Sequence, residues 1–181
     1  MKKKIILLFL TMMTPFVWGQ DVFEKYEYND NVTYFSISPK MFQMLAKLSI
    51  ETNDPQADQL LSMVKKIKTF KVITTENEGV GEDINSWATK YIKAHKLQEL
   101  MRVRDKEAYV DFYVKSTNDD LVKELLMLVT DINKEQVHLG NRSPETVLLY
   151  LNGDIDLQQI SKLVNQMNLP GGSQLGKINK H

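Results

Sequence analysis

Cysteine is missing from all 181 residues. Its absence excludes disulfides, thiol catalysis, cysteine-ligated metals and a lipid-modified N-terminal cysteine, so the fold has to be held by its core alone. An excess of charge is missing as well: 23 Lys and Arg face 23 Asp and Glu. Nucleic-acid binders display a basic surplus, so no nucleic-acid partner is expected. Familiar catalytic grammar is also absent, with neither a G-x-S-x-G elbow nor an H-E-x-x-H helix. The pair Gly79-Val80-Gly81 lacks the third glycine of a dinucleotide fingerprint, and the acids of Glu76 to Asp83 do not follow EF-hand spacing. The sequence thus nominates no catalytic, cofactor-binding or metal-ligating residue, and we expect a protein that is not an enzyme.

What is present is ordinary globular composition, with 43% apolar and 25% charged residues. The first nineteen residues stand apart. Lys2, Lys3 and Lys4 precede the apolar run Ile5–Leu10, which continues through Met12, Met13, Phe16 and Val17. That is the pattern of a secretory signal peptide, with Val17 and Gly19 small enough for cleavage after Gly19. Removing the three lysines leaves 20 basic residues against 23 acidic ones, a net charge of −3. The remainder contains no apolar run near the roughly 20 residues of a membrane span. We expect a soluble protein exported to the periplasm or the cell exterior, with a signal peptide at 1–19, one domain at 20–170 and a mobile tail at 171–181. A chain of that size buries roughly 70% of its unfolded surface, which suffices without cross-links.

Local signals agree best over Val32 to Leu48. Thr33, Phe35 and Ile37 alternate as a strand, while Met41, Met44, Leu45 and Leu48 recur at helical spacing. Ser38 is placed to cap the helix, Pro39 suits its first position, and Ile37 with Phe42 has the spacing of a hydrophobic staple. Ahead of this, Asp21 to Asn31 reads as a short arm or helical turn whose Phe23, Tyr26 and Tyr28 tie the end to the core or form an aromatic platform. Asp54 and Pro55 open a second helix with Ala57, Leu60, Leu61, Val64 and Ile67 on its apolar side. Lys65, Lys66, Lys68 and Lys71 are expected at its end, where cations offset the helix dipole, with an anion site as the alternative.

Thr69 to Thr75 is β-branched enough for a strand, and Glu76 to Asp83 reads as a loop. From Ile84 the helical period returns with Trp87, Ala88, Tyr91 and His95 on one side. Met101 to Lys115 is a hairpin. With Asp105 and Lys106 as its turn, Met101 faces Val110, Val103 faces Ala108 and Arg102 faces Tyr109. Its polar face, Arg102, Arg104, Tyr109, Asp111 and Tyr113, is either a binding surface or a solvated sheet face. Leu121, Val122, Leu125, Leu128 and Val129 fit a helix; Val147 to Leu151 fits a strand covered on both faces. Asn152-Gly153-Asp154 then turns the chain toward a last helix carrying Ile160, Leu163, Val164 and Met167. His138 stands in a weak segment without a partner.

These elements add up to an α+β domain: one mainly antiparallel sheet of about five strands with helices packed on it, distantly ferredoxin-like. Phe23-Glu24-Lys25-Tyr26, Val32-Thr33, Ile37-Ser38 with Met41-Phe42, and Ile67 to Val72 together resemble a family of small exported bacterial domains of unknown function. The resemblance implies secretion or lipid anchoring and a setting in envelope regulation, near sigma-factor genes. It supplies no catalytic residues, and the missing cysteine sets this chain apart from the lipid-anchored members. The leading expectation is a non-catalytic envelope protein, a protein-binding or regulatory module whose partner is another envelope protein. The alternatives are a hydrolase built around His95 with Asp83 or Glu99, and a carrier of a small apolar ligand using Met41, Met44 and Met63.

Overall fold

The computed structural model describes residues 21–47, 62, 65–117, 121–133 and 144–156. The segments expected to form a signal peptide, the body of a second helix with Met63, a last helix and a tail, and His138, lie outside the described residues.

Helix α1 (Val22–Tyr26) begins at Asp21, whose side chain accepts from the Phe23 amide at 3.1 Å, and buries Val22, Phe23 and Tyr26. Strand β1 (Val32–Ile37) runs into α2 (Pro39–Lys47) through Ser38, whose hydroxyl accepts from the Met41 amide at 3.2 Å. Cap, proline and staple thus stand as the sequence indicates: Phe42 is buried and Ile37 packs against the same cluster. Of the expected stripe, however, Met41 and Met44 are about half exposed, whereas Phe42 beside them is buried; Leu48 lies outside the described residues. Helical spacing groups residues on a face, but it does not say which of two neighbouring apolar faces meets the core.

Strand β2 (Ile67–Thr75) takes in Ile67, expected on a helix, and carries Lys68 and Lys71 as strand residues. Helix α3 (Glu78–His95) replaces the expected loop over Glu76 to Asp83. Asn77 caps it, accepting from the Val80 amide at 3.0 Å, and Glu78 meets the positive end of its dipole. Gly81 is there for proximity: a Cβ at this position would lie 2.6 Å from the Thr146 hydroxyl oxygen. The helix ends at Lys96 in the left-handed conformation, where the Leu97 amide returns to the Ile92 carbonyl at 3.0 Å.

Four strands follow: β3 (Gln98–Arg104), β4 (Tyr109–Ser116), β5 (Leu121–Thr130) and β6 (Thr146–Asp156). The hairpin is present with its pairing shifted by two residues, so that Met101 faces Phe112, Arg102 faces Asp111 and Val103 faces Val110. A two-residue shift preserves which side chains share a face. Its cause is Asp105, whose carboxylate accepts from the amides of Glu107 and Ala108 at 2.8 and 3.1 Å and draws four residues into the turn.

The largest difference is β5, expected as a helix. Its burial reads buried without interruption from Glu124 to Val129, which a strand covered on both faces requires and an amphipathic helix does not allow. The sheet therefore has six strands rather than five, in the order β1-β2-β6-β5-β4-β3, and every neighbouring pair is antiparallel. Strand β6 also runs straight through Asn152 to Asp154, where a turn was expected. The glycine fits a close approach instead: a Cβ on Gly153 would lie 2.4 Å from the Lys66 carbonyl oxygen, beside the irregularity between Ile67 and Thr69.

Both sheet faces are apolar. One carries Ile73, Leu126, Leu128 and Leu148 beneath α1 and α3, which contribute Phe23, Ile84 and Ala88. The other carries Phe70, Val72, Phe112, Leu125, Met127, Leu149 and Leu151, joined by Phe42 of α2. Each large side chain sealed in this way contributes about 1.5–3 kcal/mol.

The glycines give the first test. Gly153→Ala should destabilise the fold by about 1–3 kcal/mol, because only backbone could move aside. Gly79→Ala should stabilise it by about 0.4–1 kcal/mol, since Gly79 is helical with ordinary contact at 3.5 Å. Urea denaturation measures both, and a neutral Gly79→Ala would return the segment to the loop reading.

Candidate functional site

Opposite residues of antiparallel strands share a face. Ser36 of β1 lies opposite Lys71 of β2, which lies opposite Tyr150 of β6. Beside this row, Thr69 lies opposite Asn152, and Asn152 opposite Glu124. A strip of polar side chains therefore crosses a sheet whose neighbouring rows are apolar.

Above it, α3 presents Trp87, Tyr91 and His95 four residues apart, one above the next along a single face. Their rings stack: Trp87 on Tyr91 with centroids at 4.6 Å, and Tyr91 on His95 at 3.9 Å. Phe23 of α1 abuts Trp87 edge-on at 5.9 Å and lies 5.9 Å from the Tyr150 ring. Between strip and rings is a cleft of about 570 Å³, bounded on another side by Ile37, Ser38 and Pro39. Its size falls in the range of small-molecule sites.

Two ties hold the walls. Asp21 uses one oxygen to cap α1, while the other lies 3.3 Å from the Lys71 ammonium, which also sits 5.2 Å from the centre of the Phe23 ring. At the other end, the Tyr91 hydroxyl donates to the buried Glu124 carboxylate at 2.5 Å. Burial, and then this hydrogen bond, push the Tyr91 phenol far above the ordinary tyrosine range. Burial also raises Tyr150. Both hydroxyls thus remain neutral hydrogen-bonding groups at physiological pH.

The residues singled out from sequence are dispersed around this cleft. His95 does line it, exposed and stacked on Tyr91. The carboxylates suggested for it are engaged elsewhere: Asp83 accepts from Lys25 at 2.7 Å and from the Tyr26 hydroxyl at 2.9 Å, and Glu99 accepts from Arg102 at 2.5 Å. The Lys25 hydrogen bond holds the Asp83 carboxyl below its usual range, against the opposing effect of burial. Any stability from that tie is in place above about pH 4 and is lost as pH falls through the lowered value. Ser62 and Lys65 also stand at S-x-x-K spacing, but both are exposed and neither lines the cleft.

On the hairpin, Asp111 receives Arg102 at 3.0 Å and a fork from Arg104 at 2.8 and 2.7 Å, while Arg104 lies over the Tyr109 ring. Tyr113 neighbours Arg102 and helps raise its guanidinium above the ordinary value. That face satisfies its own charges. Of the N-terminal aromatics, Phe23 enters the cleft, Tyr26 is buried and Tyr28 is exposed. Among the described residues, no group of three or more His, Asp or Glu is placed to hold a metal ion, and no helix is long and apolar enough to cross a membrane.

Sequence reading missed Lys71, Tyr150, Ser36 and Glu124 as neighbours. Two signals were available: aromatic rings at 87, 91 and 95, and charged residues set against apolar neighbours within strands, Lys71 between Phe70 and Val72 in β2 and Glu124 ahead of Leu125 to Val129 in β5. The Tyr91–Glu124 bond is tested by a double-mutant cycle. Tyr91→Phe should cost about 1–3 kcal/mol by leaving a buried carboxylate without its donor, and adding Glu124→Met should restore most of that loss. Additive losses in chemical denaturation would separate the two side chains.

No curated protein and no solved structure shows significant similarity to this chain. Residues 26–163 match the family described as "Domain of unknown function (DUF4252)", most of the chain from the end of α1 onward, and the chain belongs to that family.

Proposed function

We propose that this protein is a non-catalytic binding module of the cell envelope, exported in soluble form, which takes a ligand into the cleft between α3 and the β1-β2-β6 side of the sheet. The observation that carries this reading is the two-sided cleft itself, with polar side chains on the sheet and stacked rings on the helix. A binding role accords with its chemistry: the two phenols are held neutral, and His95 has no hydrogen bond or ion pair among the described residues to orient it as a base. The expected carrier of a small ligand is thereby relocated from the methionines to the aromatic face of α3. The expected ferredoxin-like likeness has only the layering of helices on an antiparallel sheet to support it, and it bears on architecture and not on activity.

A protein partner is the second reading. It is favoured by the exposure of Phe35, Met41 and Met44, at 47%, 49% and 55%, on the consecutive elements β1 and α2.

Export and binding are tested separately. Expressed in a bacterial host, the chain should be recovered from the envelope's soluble fraction beginning at Gln20, as read by intact mass. Retention of residues 1–19 in the membrane fraction would overturn the export reading. For binding, thermal melting across a small-molecule panel should yield a compound that raises the midpoint of the wild type by several degrees, leaves Ser36→Trp unmoved, and is recovered unchanged. Failure of every compound to distinguish the two proteins would remove the cleft as the site. Met41→Glu with Met44→Glu should abolish capture of an envelope protein if the second reading holds.

A further inference from the structure

We infer that the cleft is built for a neutral saccharide of one or two rings; the inference rests on the cleft being the binding site. The sheet wall excludes a purely apolar ligand. Ser36, Thr69, Lys71 and Asp21 all line it, and covering them with hydrocarbon would strip their water without replacing it, at about 1–3 kcal/mol for each group left unpaired. A cationic ligand is opposed because the cationic position is already filled: Lys71 sits against Asp21 and over the Phe23 ring. A strongly anionic ligand meets Asp21 itself, with the buried Glu124 behind Tyr91. Lys71 and Asp21 cancel, so the wall offers hydrogen-bond donors and acceptors without a net charge.

The helix wall excludes a flat aromatic ligand. A nucleobase or similar ring needs parallel faces to slide between, and here those faces are spent on one another: the planes of Trp87 and Tyr91 lie 23° apart, and those of Tyr91 and His95 15° apart. With these faces covered, the stack has ring edges to offer, which carry the positive part of the ring quadrupole, and at its end the exposed His95 ring, while Tyr150 meets Tyr91 in a T-shaped contact at 6.2 Å. Electron-rich hydroxyl oxygens suit the edges, and a patch of sugar C–H suits the His95 ring. A polyol with one C–H face and a hydroxyl-bearing edge is the chemistry that satisfies both walls at once.

The experiment uses the chain with Trp18→Phe, so that Trp87 is the sole tryptophan and reports the cleft by fluorescence. It is titrated with glucose, galactose, mannose, N-acetylglucosamine, maltose and cellobiose, and in parallel with laurate, choline and adenosine. At least one sugar should give a saturable change, and Ser36→Ala and Lys71→Met should each weaken it about tenfold, the loss of one hydrogen bond. Ser36 is exposed and leaves the fold intact, so its variant remains informative if Lys71→Met folds poorly. Sugar binding unaffected by Ser36→Ala would put the site elsewhere and overturn the inference. Silence from all the sugars, with laurate, choline or adenosine binding in a manner lost in Ser36→Phe, would overturn the saccharide and leave the cleft reading standing. Silence from every probe, together with no compound passing the melting screen, would overturn both.

Discussion

Strands β5 and β6 have no face in water over most of their length, and the rest of the molecule is arranged to keep it so. Leu125, Met127, Leu149 and Leu151 point one way and Leu126, Leu128 and Leu148 the other, all buried. An antiparallel sheet can leave one side solvated; this one cannot, because its central strands are apolar on both sides. Cover is therefore obligatory, and α3 with α1 provides it on one face. The helix is held by Ile84 and Ala88, both fully buried. Its aromatic face consequently falls over the strip of polar residues beyond the core. Cleft and core share a cause: one helix seals the sheet with its first half and roofs the cleft with its second.

How much of this could be read in advance depended on whether a signal was local. The β1–α2 junction was legible because Ser38, Pro39 and Phe42 act within a few residues of one another. The hairpin was legible as a hairpin, and its faces were right, although the reach of the Asp105 carboxylate changed the turn. Strand β5 was not legible. Leu121, Val122, Leu125, Leu128 and Val129 satisfy a helical period, and Leu126 and Met127 fill the gaps that would have told against it. A run apolar at every position has no period, and only its partners β4 and β6 decide what it becomes. The similar run at Val147 to Leu151 was read correctly because it is short. The first turn of α3 was hidden by its glycines, which signal loops locally, although Gly81 here permits the approach to Thr146.

The site was less legible than the fold for the same reason. Trp87, Tyr91 and His95 announced a face at helical spacing, and that face exists. What they look onto is set by register: Ser36, Lys71 and Tyr150 are 35 and 79 residues apart in sequence and become neighbours only when three strands pair. Charge density makes the hairpin face and the acidic segment conspicuous in the sequence. In the structure Asp111 absorbs both arginines, and Asn77 turns the acidic segment into the start of a helix.

Asp21 links these levels. One of its oxygens begins α1 and the other steadies Lys71 in the cleft. A molecule that competes for the ammonium therefore acts on the docking of the N-terminal helix as well, and by thermodynamic reciprocity the docking of that helix sets how freely Lys71 can be engaged. Asp21 is in this sense an internal competitor for Lys71 against any ligand of the proposed site, so that occupancy there would be felt at the first turn of α1.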